Sequence, residues 1–281
     1  MLSSGIGEKV NVVIQTMGTK KWQNYGISAK TAQRYIVKKG KLKLVKDDLG
    51  QLNCASSKTL SDFIAFGKKK YPADRYIFLF WDHGGDPVYG FGYDDKQQSE
   101  DSLTLDEMAK AFSKHKDITF DMIGMDCCIM ANMETCMVLA PYCRYTVLSE
   151  DFESGLGWDY TKWTKYAYAN AEKLFDKNYS RQHKARGRGF LLDWLESWLY
   201  DESDVTLSDY YISDMLAVVE NVGVDDGKTK ALKKMLKNCV AYFGHTSDKN
   251  ELTGLAVSLP YGDAESHSLF SNLCSFSSIV F

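Results

Sequence analysis

Three short apolar runs with helical segments between them constrain the fold of this chain most strongly. The runs have the length of strands and read RYIFLFW (75–81), ITFDMIGM (118–125) and RYTVLS (144–149). The intervening segments, 103–112 and 130–139, have helical character, and Thr104 with Glu107 predicts a capping box in the first of them. Alternating strands and helices are typical of a parallel sheet with right-handed crossovers, so the predicted fold class is α/β.

The flanking segments extend this pattern. VNVVIQT (10–16) has the composition of a buried strand, residues 34–45 predict a hairpin around Gly40, and residues 59–68 predict a helix. Further helices are predicted over 190–200, 208–222 and 228–243, and the extended run GLAVSLP (254–260) could return to the sheet. We therefore expect a single domain over 1–281, with its core at about 10–160 and a more helical extension at about 161–250.

Composition argues against several classes of function. The chain has 281 residues, a net charge of −3 and a pI near 6.0, so it lacks the basic excess expected for binding nucleic acid or an anionic membrane. It contains no run of about 18 apolar residues, so we expect no membrane span. Its seven cysteines include no Cys-x-x-Cys pair, which argues against a disulfide framework and a zinc site. These features do not indicate a cell compartment.

Two strands end in residues that can do chemistry. His83 and two glycines follow the strand at 75–81, and Asp126, Cys127 and Cys128 follow the strand at 118–125. Functional groups of a parallel sheet gather at its carboxyl edge, and neighbouring strands lie roughly 5 Å apart, within reach of a His–Cys contact. A thiolate can attack an acyl carbon while imidazole manages the proton, and Gly84 lets backbone N–H donors approach an oxyanion.

Each feature also has an ordinary structural interpretation. A single histidine after a strand is more often a loop residue, and a cysteine in an apolar run is more often part of the core. The occurrence of both at neighbouring strand ends favours catalysis. Strand geometry does not choose between Cys127 and Cys128, because adjacent side chains point to opposite faces.

The blocks around these strand ends resemble the clostripain family of cysteine peptidases, in the caspase-like clan. The matching blocks are YPADRY (71–76), LFWDHGG (79–85), FDMIGMDCCIMA (120–131) and SEDFESGLGW (149–158), with further matches at 49–53 and 59–63. They cover about residues 10–160, in order. The resemblance implies a caspase-like α/β fold, with a mainly parallel sheet flanked by helices, and a cysteine endopeptidase whose chemistry requires no cofactor.

The resemblance also implies roles for single residues. The family's second block has the form Asp-x-Cys-Leu-Met, which aligns Asp126 with the aspartate and Cys128 with the nucleophile, and leaves Cys127 as a buried neighbour. His83 is then the general base and acid, and Gly84 and Cys128 supply the oxyanion site. Two positions depart from the family pattern, because Asp86 stands where relatives often have a third glycine and Ile129 replaces the usual leucine.

Peptidases of this family typically cut after Arg or Lys, and a cationic side chain needs a carboxylate in the pocket. Asp126 is the expected substrate-binding residue, and the alternative is that it caps the following helix. The family's second pocket acid falls on Leu156, which puts a strict preference for Arg in doubt. The acids near that position are Glu150, Asp151 and Glu153.

Processing, metal and setting are further expectations from the resemblance. Relatives are often zymogens nicked after a basic residue between the two blocks, and Lys96 is the candidate here, with an ordinary surface lysine as the alternative. Calcium dependence is implied by some relatives, but no ordered ligand spacing is present, so no metal residue is assigned. We expect a bacterial monomer, secreted or held at the cell envelope, that acts on peptides or proteins.

Two other functions keep the same fold. One is a catalytically silent caspase-like scaffold that binds peptides or partners, and the other is a non-peptidase hydrolase or transpeptidase that uses the same Cys–His pair. A cysteine phosphatase is excluded because no cysteine has the Cys-x5-Arg spacing. The other histidines are expected to be structural or solvated, namely His115, His183, His245 and His267.

Overall fold

The computed structural model describes residues 10–23, 26–96, 101–169, 212–216, 219, 227–240, 243 and 252–258. The strands are β1 (Val12–Thr16), β2 (Gln33–Lys38), β3 (Lys41–Lys46), β4 (Ile77–Trp81), β5 (Phe120–Asp126), β6 (Cys143–Val147), β7 (Ile212–Asp214) and β8 (Ala256–Ser258). The helices are α1 (Ser57–Lys70), α2 (Asp86–Tyr89), α3 (Leu105–Phe112), α4 (Met133–Leu139), α5 (Tyr160–Ala169) and α6 (Gly227–Cys239).

A parallel three-stranded sheet lies at the centre, in the order β4–β5–β6. Every residue of β5 is buried, as expected for a strand with a neighbour on each side and cover on both faces. Helix α3 connects β4 to β5, and α4 connects β5 to β6. The structure thus confirms the predicted α/β class, and both crossovers leave the carboxyl ends of the strands at one edge.

Aromatic side chains hold α3 against this sheet. Phe112, which is fully buried, contacts the rings of Phe78, Phe80, Phe120 and Tyr142 at centroid distances of 5.7–6.3 Å. Three of these contacts are edge-to-face and the one with Tyr142 is stacked, and aromatic pairs of both kinds add to the hydrophobic gain from burial. The helix begins with the predicted capping box of Thr104 and Glu107, which satisfies backbone N–H groups of its first turn and fixes where α3 starts.

The N-terminal strands form a separate antiparallel sheet in the order β1–β2–β3. The predicted hairpin is confirmed, and its turn places Lys39 and Gly40 at positive φ. The Arg34 guanidinium of β2 lies 4.5 Å from the ring centroid of Phe66 and 5.6 Å from that of Phe63, both on α1. These cation–π contacts join the hairpin sheet to the helix that packs on α3.

The C-terminal part differs from the sequence prediction at one element. Residues 212–214 lie inside the predicted helix 208–222 but form strand β7, because they pair antiparallel with β8. The late extended run forms strand β8, which pairs with β7 in a separate two-stranded sheet instead of joining the parallel sheet. The Ala256 N–H of β8 donates to the Ala131 carbonyl at 2.8 Å. Helix α6 matches the prediction at 228–243, whereas 190–200 lies outside the described residues.

His115 is a structural histidine, as expected. It is buried, and its Nε2 lies 3.1 Å from the Ser61 hydroxyl and 3.0 Å from the Ser61 carbonyl. The other three histidines outside the candidate site lie beyond the described residues. No helix within the described ranges is long and apolar enough to cross a bilayer.

Candidate active site

The parallel pairing of β4 with β5 brings the two predicted blocks together. Their register ends at the pair Trp81–Asp126, and His83 and Cys128 each follow two residues later. The two loops then touch, since a Cβ added at Gly84 would lie 1.9 Å from the Cys128 carbonyl oxygen. Any side chain at this position would separate the loops, so glycine is required by close packing.

The loop that carries His83 turns back on itself. The N–H of Gly85 donates to the Gly90 carbonyl at 2.7 Å, and the N–H of Gly92 donates to the His83 carbonyl at 2.8 Å. The His83 side chain is exposed, and its ring centroid lies 5.7 Å from that of Tyr93. Tyr93 is not evident as a site residue from the sequence, because it lies beside His83 only where the loop folds back.

Asp86 stands at a position with the backbone of a glycine. Its φ is 67°, in the left-handed region, which explains why relatives often have glycine there. The aspartate is tolerated because its Oδ1 accepts the N–H groups of Val88 at 2.6 Å and Tyr89 at 3.0 Å. Burial, and secondarily the charge of Glu134, raises the pKa of Asp86 to about 7.

The two adjacent cysteines lie in different surroundings. Cys127 is 3 % exposed and belongs to the main core, and burial raises the pKa of its thiol well above the ordinary value. Cys128 is half-buried, and its Sγ accepts the backbone N–H of Glu153 at 3.2 Å. A core thiol with a raised pKa is a poor source of thiolate, whereas an N–H donor favours the charged sulfur.

The turn after Cys128 is strained and held from one side. Ile129 has a φ of 51°, an uncommon conformation that is unfavourable for a β-branched residue. Its N–H donates to the Asp151 carbonyl at 3.0 Å, and the N–H of Ala131 donates to the Ser149 carbonyl at 2.7 Å. The segment 149–158 therefore fixes the backbone that presents Cys128.

Asp126 does not cap the following helix. The cap of α4 is Asn132, whose side chain accepts the Thr135 N–H at 2.8 Å, so the capping interpretation of Asp126 is wrong. The Asp126 side chain is 4 % exposed, and its Oδ2 accepts the backbone N–H of Trp158 at 2.9 Å. This carboxyl thus faces the 149–158 segment at the end of β5.

Asp126 and Glu153 form a buried carboxyl pair. Burial raises the pKa of both groups, and that of Glu153 rises further because it faces Asp126 and donates a hydrogen bond to it. The Trp158 Nε1–H lies 3.1 Å from each oxygen of Glu153, and the Tyr160 hydroxyl donates to Asp126. Because the two carboxyls face each other in a buried site, sharing a proton is favoured over carrying two negative charges.

The other acids near the family's second pocket position point elsewhere. Glu150 is buried beside Asp214, and its Oε2 accepts the Gly254 N–H at 2.5 Å. Leu156, at the tip of the segment, is 93 % exposed. Of the three candidate acids, Glu153 is the one that reaches Asp126.

Gly157 and Trp81 lie over the carboxyl pair. Gly157 has a φ of 66°, and a Cβ added there would lie 2.7 Å from the Trp81 indole nitrogen and 3.0 Å from the Asp126 Oδ2. Trp81 itself is 56 % exposed. A flat aromatic wall and a glycine beside a buried carboxylate are suitable for a long cationic side chain.

Lys96 is half-buried and anchored on its N-terminal side. Its N–H donates to the Asp94 Oδ1 at 3.0 Å, and its ammonium group contacts the Ala29 carbonyl. Asp94 is buried and also accepts the Cys54 N–H at 3.1 Å. Residues 97–100, which follow it, are outside the described part of the chain.

The described residues assign no ligands for the calcium that the resemblance implies. Within these ranges, no group of three or more His, Cys, Asp or Glu side chains is arranged to hold a metal ion. Calcium prefers six to eight oxygen ligands, and the buried acids described above are engaged with backbone N–H groups or with each other.

Comparisons with known proteins identify the family of this chain. The model of the Clostripain family of peptidases matches residues 5–274. The comparison with curated proteins found no match.

Solved structures share the fold over nearly the whole chain. An inactive zymogen protease of the same family from Parabacteroides distasonis has 16 % identity and a TM-score of 0.65, and the match covers 99 % of this chain and 90 % of that one. A secreted cysteine protease from Bacteroides thetaiotaomicron, iotapain, has 15 % identity and a TM-score of 0.63, with 99 % and 91 % covered. A secreted protease from that organism with an irreversible peptide inhibitor has 16 % identity and a TM-score of 0.58, with 89 % and 86 % covered. The caspase-like fold of these proteases is therefore the fold of this chain.

The buried Asp86 predicts a pH-dependent effect of Asp86→Asn. The folded protein keeps the Asp86 proton up to about pH 7, whereas the unfolded chain releases it near its ordinary pKa of 3.8, so this group destabilises the fold as pH rises through that window. Asparagine keeps a side-chain oxygen that can accept the N–H groups of Val88 and Tyr89, and it tolerates the left-handed backbone. Its side chain does not titrate. Relative to wild type, the variant should gain about 2 kcal/mol of unfolding free energy between pH 5 and pH 8, measured by urea denaturation.

The matched control is Asp106→Asn, an exposed carboxyl in the first turn of α3. Its effect should be the same at both pH values. A constant difference between Asp86→Asn and wild type across this range would contradict the assignment.

Proposed function

Because the chain belongs to the clostripain family of cysteine peptidases, we propose that it is an endopeptidase that cuts after Arg or Lys, with Cys128 as nucleophile and His83 as general base and acid. The observation that carries this proposal is the parallel pairing that ends at Trp81–Asp126 and sets the two loops in contact. A nucleophile and its base must lie within hydrogen-bond reach when substrate is bound, and the neighbouring strand ends support such an approach of Cys128 and His83.

The chemistry follows the acyl-transfer route. The Cys128 thiolate attacks the carbonyl carbon, forming a carbon–sulfur bond while the carbonyl electrons move to oxygen, where N–H groups of Gly84 and Cys128 stabilise the charge. His83 gives its proton to the leaving nitrogen as the carbon–nitrogen bond breaks. Water then attacks the thioester and gives a proton to His83, and thiolate is released.

The surroundings of the two cysteines support Cys128 over Cys127. Cys127 lies among the core side chains, so a substrate carbonyl would have to enter the core to reach it. The half-buried Cys128 lies at the junction between the His83 loop and the 149–158 segment, where an extended peptide can approach.

The carboxyl pair supports selection of a basic residue before the scissile bond. The Asp126–Glu153 pair supplies the carboxylate, and Glu153 takes the place of the acid missing at Leu156. A cation that reaches this pair gains a charge-assisted bond in a poorly solvated site, whereas a neutral side chain leaves the carboxylate with its present partners.

We extend the proposal to activation and setting. The zymogen from Parabacteroides distasonis and the secreted proteases from Bacteroides thetaiotaomicron support a bacterial, secreted or cell-envelope enzyme made as a zymogen. We propose cleavage after Lys96 as the activating step, monomeric action on peptides or proteins, and a single domain over 1–281. No step of the mechanism uses calcium.

The assignment of Cys128 as nucleophile predicts a difference between variants of the two adjacent cysteines. Fluorogenic peptides ending in Arg or Lys should be cleaved by wild type and by Cys127→Ala, and peptides ending in Asn, Asp or Leu much more slowly. Cys128→Ala should lose at least about a thousandfold in kcat, since the covalent route needs the thiol.

Cys127→Ala is the matched control, because it removes the neighbouring sulfur. Loss of cleavage in Cys127→Ala but not in Cys128→Ala would overturn the assignment. Absence of all cleavage in folded, nicked wild type would favour the silent scaffold, and amide products formed with an added amine would reveal transpeptidation.

The proposed preference for basic residues predicts an effect of Asp126→Asn. Asp126→Asn keeps an acceptor for the Trp158 N–H but removes the charge, so kcat/KM for Arg and Lys peptides should fall by about a hundredfold, as expected when one partner of a desolvated charge pair is lost. Asp159→Asn, which removes a nearby carboxylate at the start of α5, should keep the preference for basic residues. An equal fall for basic and neutral peptides would refute a role for Asp126 in selection.

The proposed activation by cleavage after Lys96 predicts that activity depends on this cut. Incubated wild-type protein should be cut after Lys96, and peptide turnover should rise with the cut fraction measured by intact mass spectrometry. Lys96→Ala should stay uncut and inactive, whereas Lys110→Ala, an exposed lysine inside α3, should behave as wild type because helical backbone does not fit a protease. Full activity of uncut Lys96→Ala would exclude this step.

A further inference from the structure

We infer that Glu153 is a positioning residue that joins the proposed specificity carboxyl, Asp126, to the nucleophile. Its backbone N–H donates to the Cys128 sulfur and so positions the thiol. Its side chain holds that N–H in place by binding Trp158 and Asp126. The inference rests on the proposed function, since it takes Cys128 as the reacting sulfur.

The same residue contacts both parts of the site. The Glu153 N–H lies 3.2 Å from the Cys128 Sγ, and the Glu153 carbonyl is 3.9 Å from the same sulfur. Its carboxyl accepts the Trp158 indole N–H with both oxygens at 3.1 Å and faces Asp126. A displacement of this side chain therefore moves the donor that faces the thiol.

The segment around Glu153 is tied to the turn that presents Cys128 by three bonds from alternate residues. Ser149 accepts the N–H of Ala131, Asp151 accepts the N–H of Ile129, and Glu153 donates to the Cys128 sulfur. The first two bonds are between backbone groups and depend little on side chains. The third bond has its donor held by a side chain, so it is the one that a change at Glu153 alters.

This arrangement couples substrate recognition to the thiol. An N–H donor stabilises a thiolate more than a thiol, so the position of the Glu153 amide influences how much of Cys128 is reactive. A cationic side chain that binds Asp126 competes with the Glu153 carboxyl for the same oxygens. Binding a basic residue thus acts on the group that positions the nucleophile.

Alkylation of Cys128 by iodoacetamide tests this without any substrate. Rates are followed from pH 5 to pH 9 by mass spectrometry, with Cys128→Ala as the background for other cysteines. Glu153→Ala should slow alkylation at pH 7 by about tenfold and raise the midpoint of the pH profile by about one unit, because one unit of thiol pKa is a tenfold change in thiolate. Glu153→Gln should stay close to the wild-type rate, well within the roughly threefold effect expected for Trp158→Phe, because its amide can accept from Trp158 and donate to Asp126.

Two further variants sharpen the test. Trp158→Phe removes the indole donor alone and should slow alkylation by about threefold, which keeps the test decisive if Glu153→Ala does not fold. Asp159→Asn, the matched loss of a nearby carboxylate, should leave the profile unchanged.

Wild-type alkylation rates and midpoint in folded Glu153→Ala, or in Trp158→Phe if the first variant is unfolded, would overturn the inference. The outcome is separable from the proposed specificity. A chain that cleaves no basic peptide but shows the Glu153-dependent profile keeps the inference and loses the proposed substrate.

Discussion

The parallel pairing of β4 with β5 is the constraint on which the rest of the site depends. It places Trp81 opposite Asp126, so the loops that carry His83 and Cys128 leave the sheet side by side. The pairing is fixed by burial, because every residue of β5 is enclosed and a slip by one residue would turn core side chains to the wrong face. Gly84 then permits the loops to touch, which any Cβ would prevent.

The segment 149–158 adds the polar half of the site. Its first residues hold the strained turn at Ile129, and its later residues bury two carboxyls under Gly157 and Trp81. Burying two acids together is unfavourable unless a proton or a cation offsets the second charge. A proton shared by Asp126 and Glu153 serves this purpose, and the basic side chain of the proposed substrate would replace it.

The sequence predicts those features that depend on local patterns. The apolar runs indicate β4, β5 and β6, and Thr104 with Glu107 indicates the start of α3, because strand burial and capping leave local signatures. It does not predict that Asn132 caps α4, because the helical pattern starts at residue 130 in the sequence, whereas the helix begins at Met133. Nor does it predict β7, whose three residues become a strand only because a distant segment, β8, pairs with them.

The roles of Glu153 show why the rest of the site is not evident from sequence. Its identity suggests only an acid near a pocket, as do Glu150 and Asp151. The path of the backbone separates the three, turning Glu150 toward Gly254, using the Asp151 carbonyl to hold Ile129, and bringing Glu153 to both Asp126 and the Cys128 sulfur. Adjacent residues of an irregular segment face directions that no periodicity encodes. The sequence therefore predicts the proposed reacting residues, whereas the groups that contact them are identified only from the structure.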